Sequence, residues 1–463
     1  MASASRLLYL LPLALIAAGL MMHLQQSMPS AVSAENVLDE LERLREREDL
    51  NVLFLLVDTL RADRLSAYGY PRPTSPTIDA LARTGIRFAQ HTSQSSWTKA
   101  SMASLWTSTY PVATGILRFD DALPDAARMP AEILKARGLQ TAGIWRNGWV
   151  APNFGFAQGF SVYHKPSFGA VKTAHRRNTP TSRIAGSDQD ITDSAIEFIR
   201  VEGHRPWLLY LHYMDVHQYL SDETSALFGT TYSDIYDNSI HWVDRQIQAL
   251  LSALDEAGLR DRTIVVLVAD HGEAFSEHDT EGHAKDLYGE VIETPFVVHL
   301  PFDLEPGAVV ESASSNVDVW PTIFDLLGEA APEERDGRSL VPDVLAALRS
   351  EAPRETEPVF AHLDRSWGRV GIEPRWIIAA TDPPYRLIFH PDGKQKNELY
   401  DLAADPLERE NRYEAEPETA ARLERSARDY AARSRSSWAL EKKTIELDDM
   451  LMGQLRAIGY AIE

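Results

Sequence analysis

Acidic and histidine side chains follow two strongly apolar segments of the chain, at the points where strands are expected to end. Asp58 closes the run NVLFLLVD, and Asp270 and His271 close the run TIVVLVADH. Because the carboxyl ends of parallel strands meet at one edge of a sheet, we expect these side chains to converge there. Two carboxylates and an imidazole form a ligand set for a divalent ion such as Zn²⁺ or Mn²⁺.

These candidate ligands also have a purely structural interpretation. Asp58 precedes the segment TLRADRL, where it would cap a helix, and for this residue neither interpretation is favoured. Asp270 would end a turn before Gly272. For Asp270 and His271 the metal site is favoured, because a buried carboxylate beside a histidine is costly without a partner.

A threonine, Thr98, stands at the start of the small-residue segment TKASMAS. Hydroxyl side chains are common N-caps, which is the structural interpretation. A helix N-terminus also offers free N–H groups and a positive dipole end to an anion. Beside a metal ion the hydroxyl would lose its proton and act as a nucleophile toward sulfur or phosphorus. The segment alone leaves both interpretations open.

Two histidines and a lysine complete the set of candidate residues. His217 follows the apolar segment WLLYLHY, and His283 lies in a polar loop after Asp270. Departure of an alcohol from an ester needs a proton donor that titrates near neutrality, and histidine supplies one. Both histidines are predicted to be catalytic. Lys285 is a candidate for binding the anionic substrate, and a solvated loop lysine explains it equally well.

Strands and helices alternate along the chain, which predicts a doubly wound α/β sheet. Buried strands are expected where apolar runs stand between turn residues. The predicted strands are residues 51–58, 141–145, 207–213, 263–270 and 295–300. The predicted helices between them are residues 76–83, 101–106, 130–135 and 232–257. Residues 375–381 and 385–390 predict a small antiparallel sheet toward the C-terminus.

Composition and charge exclude several classes of protein. The hydrophobic content of 44 % is typical of a globular protein. A net charge of −22 disfavours a nucleic-acid partner. The absence of cysteine excludes disulfides, thiolate zinc sites and cysteine nucleophiles. Residues 161–187 carry a local positive charge, with five basic residues and no acidic one. An exposed loop without a function is favoured there over a mobile rim of the site that attracts anions.

Eight segments resemble, in order, the sulfatase family of the alkaline phosphatase superfamily. They are LLVDTLRADRLSAYGYPRPTSPTIDALARTGIRF, SWTKASMASLWTSTYP, HYMDVH, LVADHGEAFSEH, GHAKDLYGEVIETPFVVHLP, NVDVWPTIFDLLG, DGRSLVP and ELYDLAADPLERENR. The resemblance implies an alkaline-phosphatase-like α/β fold: a large mixed β-sheet sandwiched by helices, with a small C-terminal antiparallel-sheet subdomain. It implies that Asp58, Asp270 and His271 bind the metal. Thr98 would be both nucleophile and ligand, and His217 and His283 would surround the ester oxygens.

The chain departs from the family at the nucleophile. Typical sulfatases carry Cys or Ser within a C/S-x-P-S-R signature and convert it to formylglycine, whereas residues 98–102 read TKASM. Thr59 replaces a second metal-binding Asp, and His271 stands where calcium-dependent members often have Asn. Adding an imidazole to oxygen ligands shifts the preference toward Mn²⁺ or Zn²⁺, over Ca²⁺ or Mg²⁺. A threonine nucleophile is similar to that of the membrane-anchored phosphoethanolamine and phosphoglycerol transferases of the superfamily.

The N-terminus predicts attachment to a membrane. Residues 7–24 form an apolar run after Arg6, at the lower edge of the length that spans a bilayer. An uncleaved anchor is favoured over a cleaved signal peptide, and the charges place the body outside. This predicts a single-pass protein of the cell inner membrane with a periplasmic catalytic domain. The predicted divisions are an anchor or signal peptide over 1–34, an amphipathic linker helix over 35–50, a sulfatase-like catalytic domain over 51–350, a small sheet subdomain over 351–413 and a helical tail over 414–463.

The predicted function is a metal-dependent hydrolase of sulfate or phosphate esters with a Thr98 nucleophile and one divalent ion. Its substrate would be an anionic ester: a sulfated or phosphorylated glycan, lipid or small molecule. One alternative is a phosphoethanolamine- or phosphoglycerol-type transferase acting on envelope lipids or glycans. An alternative of another class is a catalytically inactive envelope binding protein, which the lost signature residues suggest and the retained ligand residues oppose.

Overall fold

A computed structural model describes residues 31–33, 36–166, 175–176, 186–369, 372–441 and 443–446. Its main feature is an eight-stranded sheet. The strands are β1 (Asn51–Val57), β2 (Ile86–Phe88), β3 (Gln140–Ile144), β4 (Val162–His164), β5 (Trp207–Tyr213), β6 (Thr263–Val268), β7 (Phe296–His299) and β8 (Ala308–Val310). Their order across the sheet is β8-β2-β7-β6-β1-β5-β3-β4.

The middle of the sheet is parallel and its β2–β7–β6 part is antiparallel. Strand β1 runs parallel to β6 with Asn51 opposite Thr263, and parallel to β5 with Val52 opposite Leu208. Strand β7 runs antiparallel to both β6 and β2. Every residue of β1 is buried, as expected for a strand covered on both faces. The prediction of a large mixed sheet is therefore confirmed.

Helices cover both faces of the sheet. They are α1 (Val37–Glu46), α2 (Pro76–Thr84), α3 (Thr98–Thr107), α4 (Pro111–Thr114), α5 (Pro130–Ala136), α6 (Asp188–Glu202), α7 (Tyr232–Glu256), α8 (Gly289–Ile292), α9 (Asn316–Leu326), α10 (Val341–Leu348) and α11 (Pro417–Ala431). One apolar core holds buried residues of α1, α3, α5 and α9, and the other holds those of α2, α6 and α7. The helix α3, which begins at Thr98, thus lies on one face and α7 on the other.

A second, antiparallel sheet follows the main one in the chain. Its strands, in the order that they pair, are β9 (Val359–Asp364), β10 (Trp376–Asp382), β11 (Tyr385–Phe389) and β12 (Glu398–Asp401). Helix α11 packs on this sheet through Leu423 and Tyr430. Short two-stranded ladders pair residues 31–33 with 303–305, 91–92 with 314–315, 121–122 with 443–444, 175–176 with 220–221 and 274–275 with 281–282.

Every predicted strand agrees with the structure to within two residues at either end, but several predicted helix ends do not. The predicted helix 101–106 begins earlier, at Thr98. Of the described residues of the predicted helical tail, which end at 446, Pro417–Ala431 are α-helix, Ser437–Ala439 form a 3₁₀ turn and Lys443–Thr444 a strand. Ser434, Ser436 and Ser437 interrupt the periodic pattern, because serine side chains compete for helical backbone groups.

The predicted membrane anchor, residues 7–24, lies outside the described residues. Within the part of the chain that the structure describes, no helix has both the length and the apolar character needed to cross a bilayer.

Candidate active site

Asp58 stands directly after the central strand β1, at the carboxyl edge of the sheet. Its backbone N–H donates to the carbonyl of Tyr213 at 2.9 Å, which extends the pairing of β1 with β5 by one residue. Thr59 then takes a left-handed backbone with φ of 60°, which is unusual for a β-branched residue. In this conformation its N–H donates to Asp270 Oδ1 at 3.2 Å and its hydroxyl to the Asp58 carbonyl at 2.7 Å. Thr59 therefore joins the main chain of Asp58 to the carboxylate of Asp270.

Asp58, Asp270 and His271 form the predicted metal-ligand set. All three are fully buried, and one ligand atom of each lies within 4.8 Å of those of the others. Asp58 Oδ1 and Asp270 Oδ2 are buried without a hydrogen-bond partner. Orphaned carboxylate oxygens are costly in the interior of a protein. The donor set therefore fits a divalent cation, which would give both of these carboxylate oxygens a partner.

His271 is oriented by its own main chain. Its Nδ1 lies 2.9 Å from the carbonyl of Gly272, so Nδ1 carries the hydrogen and Nε2 carries the lone pair. Nε2 lies 3.1 Å from the hydroxyl oxygen of Thr98, the first residue of α3. The predicted nucleophile is thus in direct contact with a predicted ligand.

Two residues outside the predicted site also contact the cluster. Asn147, which follows β3, donates from Nδ2 to Asp58 Oδ2 at 2.6 Å and lies 3.4 Å from Thr98 Oγ1. His212, in β5, places Nε2 3.0 Å from the same Asp58 oxygen and Nδ1 2.7 Å from the hydroxyl of Tyr210. Both contacts engage Oδ2 and leave Oδ1 for a ligand.

The second group of predicted residues, His217 and His283, stands beside this cluster. The ring of His283 lies 4.5 Å from that of His271 and 5.0 Å from that of His217. His283 Nδ1 contacts Glu273 Oε1 at 3.2 Å, whereas both ring nitrogens of His217 are buried without a hydrogen-bond partner. The two imidazoles are therefore side by side in different surroundings.

These surroundings shift the pKa values of the two histidines in opposite directions. Burial lowers the pKa of His217 to about 4, and the nearby Asp58 only partly opposes it. Burial also disfavours the charged form of His283, but the Glu273 carboxylate outweighs it and raises the pKa of His283 above its ordinary value. The charged imidazolium form is thus favoured more at His283 than at His217.

The pKa values of the two candidate ligand carboxylates, Asp58 and Asp270, are also shifted in opposite directions. Burial opposes ionisation of Asp58, but His217, His212 and His271 outweigh it and hold the pKa of that carboxyl well below its usual range. Burial and the neighbouring Asp58 raise the pKa of Asp270. Only one of these two buried carboxylates ionises readily. A bound cation would favour the ionised form of both and neutralise their charge.

Lysine residues near the site are engaged elsewhere. Lys285 is exposed and donates to the Glu281 carbonyl at 2.5 Å; among the described residues no hydrogen bond joins it to the cluster. Lys99, next to Thr98, is buried and donates to the carbonyls of Phe119 and Asp121 at 2.6 and 2.8 Å. The predicted role of Lys285 stays a prediction. Of the basic segment 161–187, Lys172, Arg177 and Arg183 lie outside the described residues.

Comparison with known families agrees with this fold. Residues 50–329, more than half of the chain, match the family described as sulfatase. Residues 283–430 match the C-terminal region of N-sulphoglucosamine sulphohydrolase. The second match includes His283 and the whole small sheet.

Individual relatives are distant but cover most of the chain. Arylsulfatase A of Homo sapiens is 25 % identical over 77 % of this chain and 77 % of its own length. The ulvan-active sulfatase of Formosa agariphila is 26 % identical over 70 % of each. The solved phosphonate monoester hydrolase of Agrobacterium radiobacter has a TM-score of 0.63 at 19 % identity, covering 87 % of this chain and 98 % of its own. The protein belongs to the sulfatase family and is an ester hydrolase of that family.

Proposed function

We propose that this enzyme transfers a sulfuryl or phosphoryl group from an anionic ester to the hydroxyl of Thr98 and then to water. The observation that supports this most directly is the contact of 3.1 Å between Thr98 Oγ1 and His271 Nε2, within a set of buried ligands. Thr98 also begins α3, whose free N–H groups and positive dipole end suit an anion.

Asp58, Asp270 and His271 would hold one divalent ion, with Thr98 as a fourth ligand. When bound, the ion would lower the pKa of the Thr98 hydroxyl and polarise an oxygen of the ester. An imidazole among the ligands favours Mn²⁺ or Zn²⁺.

In the first half of the reaction Thr98 Oγ1 releases its proton to solvent, forms a bond to sulfur or phosphorus and breaks the ester bond. The departing alkoxide takes a proton from His283, whose imidazolium form the Glu273 carboxylate at 3.2 Å stabilises. Asn147 Nδ2, 3.4 Å from Thr98 Oγ1, donates toward the oxygen that attacks. The result is a Thr98 ester and a free alcohol.

The second half releases the group to water. His217 has no hydrogen-bond partner for either nitrogen, so its neutral ring can accept a proton from the attacking water. The water oxygen bonds to sulfur or phosphorus and the bond to Thr98 Oγ1 breaks. Sulfate or phosphate leaves, the proton on His217 restores the Thr98 hydroxyl, and His283 regains its proton from solvent.

A phosphotransferase is the second candidate, and the Thr98 position favours it. The formylglycine signature of sulfatases is absent, whereas a threonine ester can pass its group to an alcohol as readily as to water. If residues 7–24 anchor the chain, envelope lipids or glycans would be the accessible substrates. An extracytoplasmic location is part of this proposal and rests on the sequence.

The experiment compares full-length enzyme stripped of metal and reloaded with Mn²⁺, Zn²⁺ or Ca²⁺. Initial rates are measured on an aryl sulfate and on matched aryl phosphate mono- and diesters, with and without glycerol as an acceptor. Turnover restored by Mn²⁺ or Zn²⁺ supports the proposed site. The preferred ester decides between sulfuryl and phosphoryl transfer, and glyceryl product identifies a transferase. Turnover that is the same without metal contradicts the proposal.

A further inference from the structure

A buried arginine, Arg146, lies directly before Asn147 and is completely shielded from solvent. Its Nη1 donates to Asp188 Oδ1 at 2.9 Å and to Asp215 Oδ1 at 2.6 Å. Its Nη2 donates to the Gly186 carbonyl at 2.8 Å and to Gln218 Oε1 at 2.9 Å. One guanidinium therefore joins three separate parts of the chain.

The two carboxylates that bind Arg146 also hold main-chain atoms. Asp188 accepts the N–H groups of Met214, at 2.8 Å, and of Asp215, at 2.7 Å. Asp215 Oδ2 accepts the N–H of Asp188 at 2.6 Å and the indole N–H of Trp242 at 2.8 Å. We call the set Arg146, Asp188, Asp215, Gln218 and Trp242 the Arg146 brace.

The Arg146 brace binds the loop that carries His217 on both sides of that residue. Asp215 and Gln218 flank His217 in sequence, and both are bound to the guanidinium. The ring of His217 makes no hydrogen bond of its own, so only packing and the backbone of this loop fix its place. On its other side Arg146 continues into Asn147, which contacts Asp58 and Thr98.

Stability alone gives a weak reason for such a network. Buried ion pairs seldom stabilise a fold more than apolar residues of the same volume do. A planar guanidinium with four acceptors in fixed directions instead specifies where its neighbours lie. Here the neighbours are the two loops that follow β3 and β5 at the edge of the site.

We propose that Arg146 is a positioning residue that holds the His217 loop against the Asn147 turn, so that His217 reaches the Thr98 ester. The inference rests on the proposed function, in which His217 accepts the proton of water. A displaced His217 would slow release of the group from Thr98 more than its transfer to Thr98. The Thr98 ester would then accumulate.

The test compares Arg146→Lys with wild type in the full-length, metal-loaded enzyme on a 4-nitrophenyl ester. Lysine keeps the charge but cannot reach four acceptors. We expect kcat to fall about 10- to 100-fold, the loss typical of a reacting group misplaced by about 1 Å. We also expect a burst of nitrophenol equal to the enzyme concentration, and a Thr98 adduct in the intact mass. The matched control is Arg386→Lys, because Arg386 is also a buried arginine with two carboxylate partners, Glu408 and Glu293. This control should give neither the burst nor the adduct.

His217→Ala separates this inference from the proposed function. If His217→Ala shows no burst and no adduct, the proposed role of His217 fails. If it shows both and Arg146→Lys shows neither, only the inference about Arg146 is wrong. Addition of Arg146→Lys to His217→Ala should lower kcat no further than about twofold, because both act on the same group. If Arg146→Lys does not fold, Trp242→Phe decides: it removes one donor to Asp215 and should give a smaller burst, and wild-type kinetics would overturn the inference.

Discussion

Replacement of Thr98 by alanine separates chemistry from stability more cleanly than any other change at the site. The hydroxyl makes one good contact, 3.1 Å to His271 Nε2, and one weak contact, 3.4 Å to Asn147 Nδ2. Their loss costs about 1 kcal/mol of folding free energy. Alanine is the better helix former at this first position of α3 and offsets part of that. The melting temperature should therefore change by less than about 3 °C.

The effect on turnover should be much larger. Without Oγ1 no covalent ester forms, and the loss of a nucleophile typically costs at least about 10³-fold in kcat, or about 4 kcal/mol of activation free energy. The assay is initial-rate kinetics on a 4-nitrophenyl ester, with intact mass after rapid quench and metal content of each variant. Thr98→Ser is the matched control, because it keeps the oxygen; it should form the adduct and stay within about 10-fold of wild type.

The reasoning is refuted if Thr98→Ala keeps more than about one tenth of the wild-type kcat. The Thr98→Ser control detects a collapse of the site: if both variants lose metal and activity equally, the loss comes from the collapsed site, and the assignment of Thr98 as the nucleophile loses its support.

Two further predictions concern stability. Saturating Mn²⁺ or Zn²⁺ should stabilise the fold by about 2.7 kcal/mol at a hundred times Kd, because it completes the orphaned oxygens of Asp58 and Asp270. Thermal melts with and without chelator measure this, Asp270→Asn should abolish it, and an unchanged melt would contradict the ligand assignment. The second concerns His278, which contacts Glu290 at 2.7 Å and the Glu408 carbonyl at 2.9 Å. Although burial opposes it, the Glu290 bond raises the pKa of His278 to about 9, above the ordinary value of 6.5. The contribution of His278 to the free energy of unfolding should thus be complete below pH 6.5 and lost as the pH rises through 9. Denaturant titrations across this range should show the loss in wild type and not in His278→Gln. The same pH dependence in both proteins would disprove the prediction.

The sequence predicted those features that depend on strand ends. Asp58, Asp270 and His271 were found because each follows a continuous apolar run, and such runs become buried strands whose ends share one edge. The same rule applied to residues 141–145 would have led to Asn147, which follows β3. That signal was present but less visible, because TAGIW is a shorter run with fewer branched residues.

Other contacts leave no local pattern. His212 lies inside β5 and contacts Asp58 only because β5 pairs directly with β1, a neighbour that the order of segments does not specify. The Arg146 brace joins residues up to 96 positions apart through side-chain directions. Such contacts depend on which strands become adjacent and on rotamers, and periodicity reports neither.

The position of β1 in the sheet also affects how the enzyme matures. Its partners begin at Trp207 and Thr263, so during synthesis both edges of this apolar strand stay unpaired until well over a hundred further residues have emerged. Long-range pairing of this kind is slow and exposes sticky strand edges to other chains. Asp58 and Asp270 come together only when β6 docks beside β1, so uptake of an ion at the proposed metal site would report that docking. A chain interrupted before residue 263 would have Thr98 and His217 but would lack Asp270 and His271, two of the proposed metal ligands.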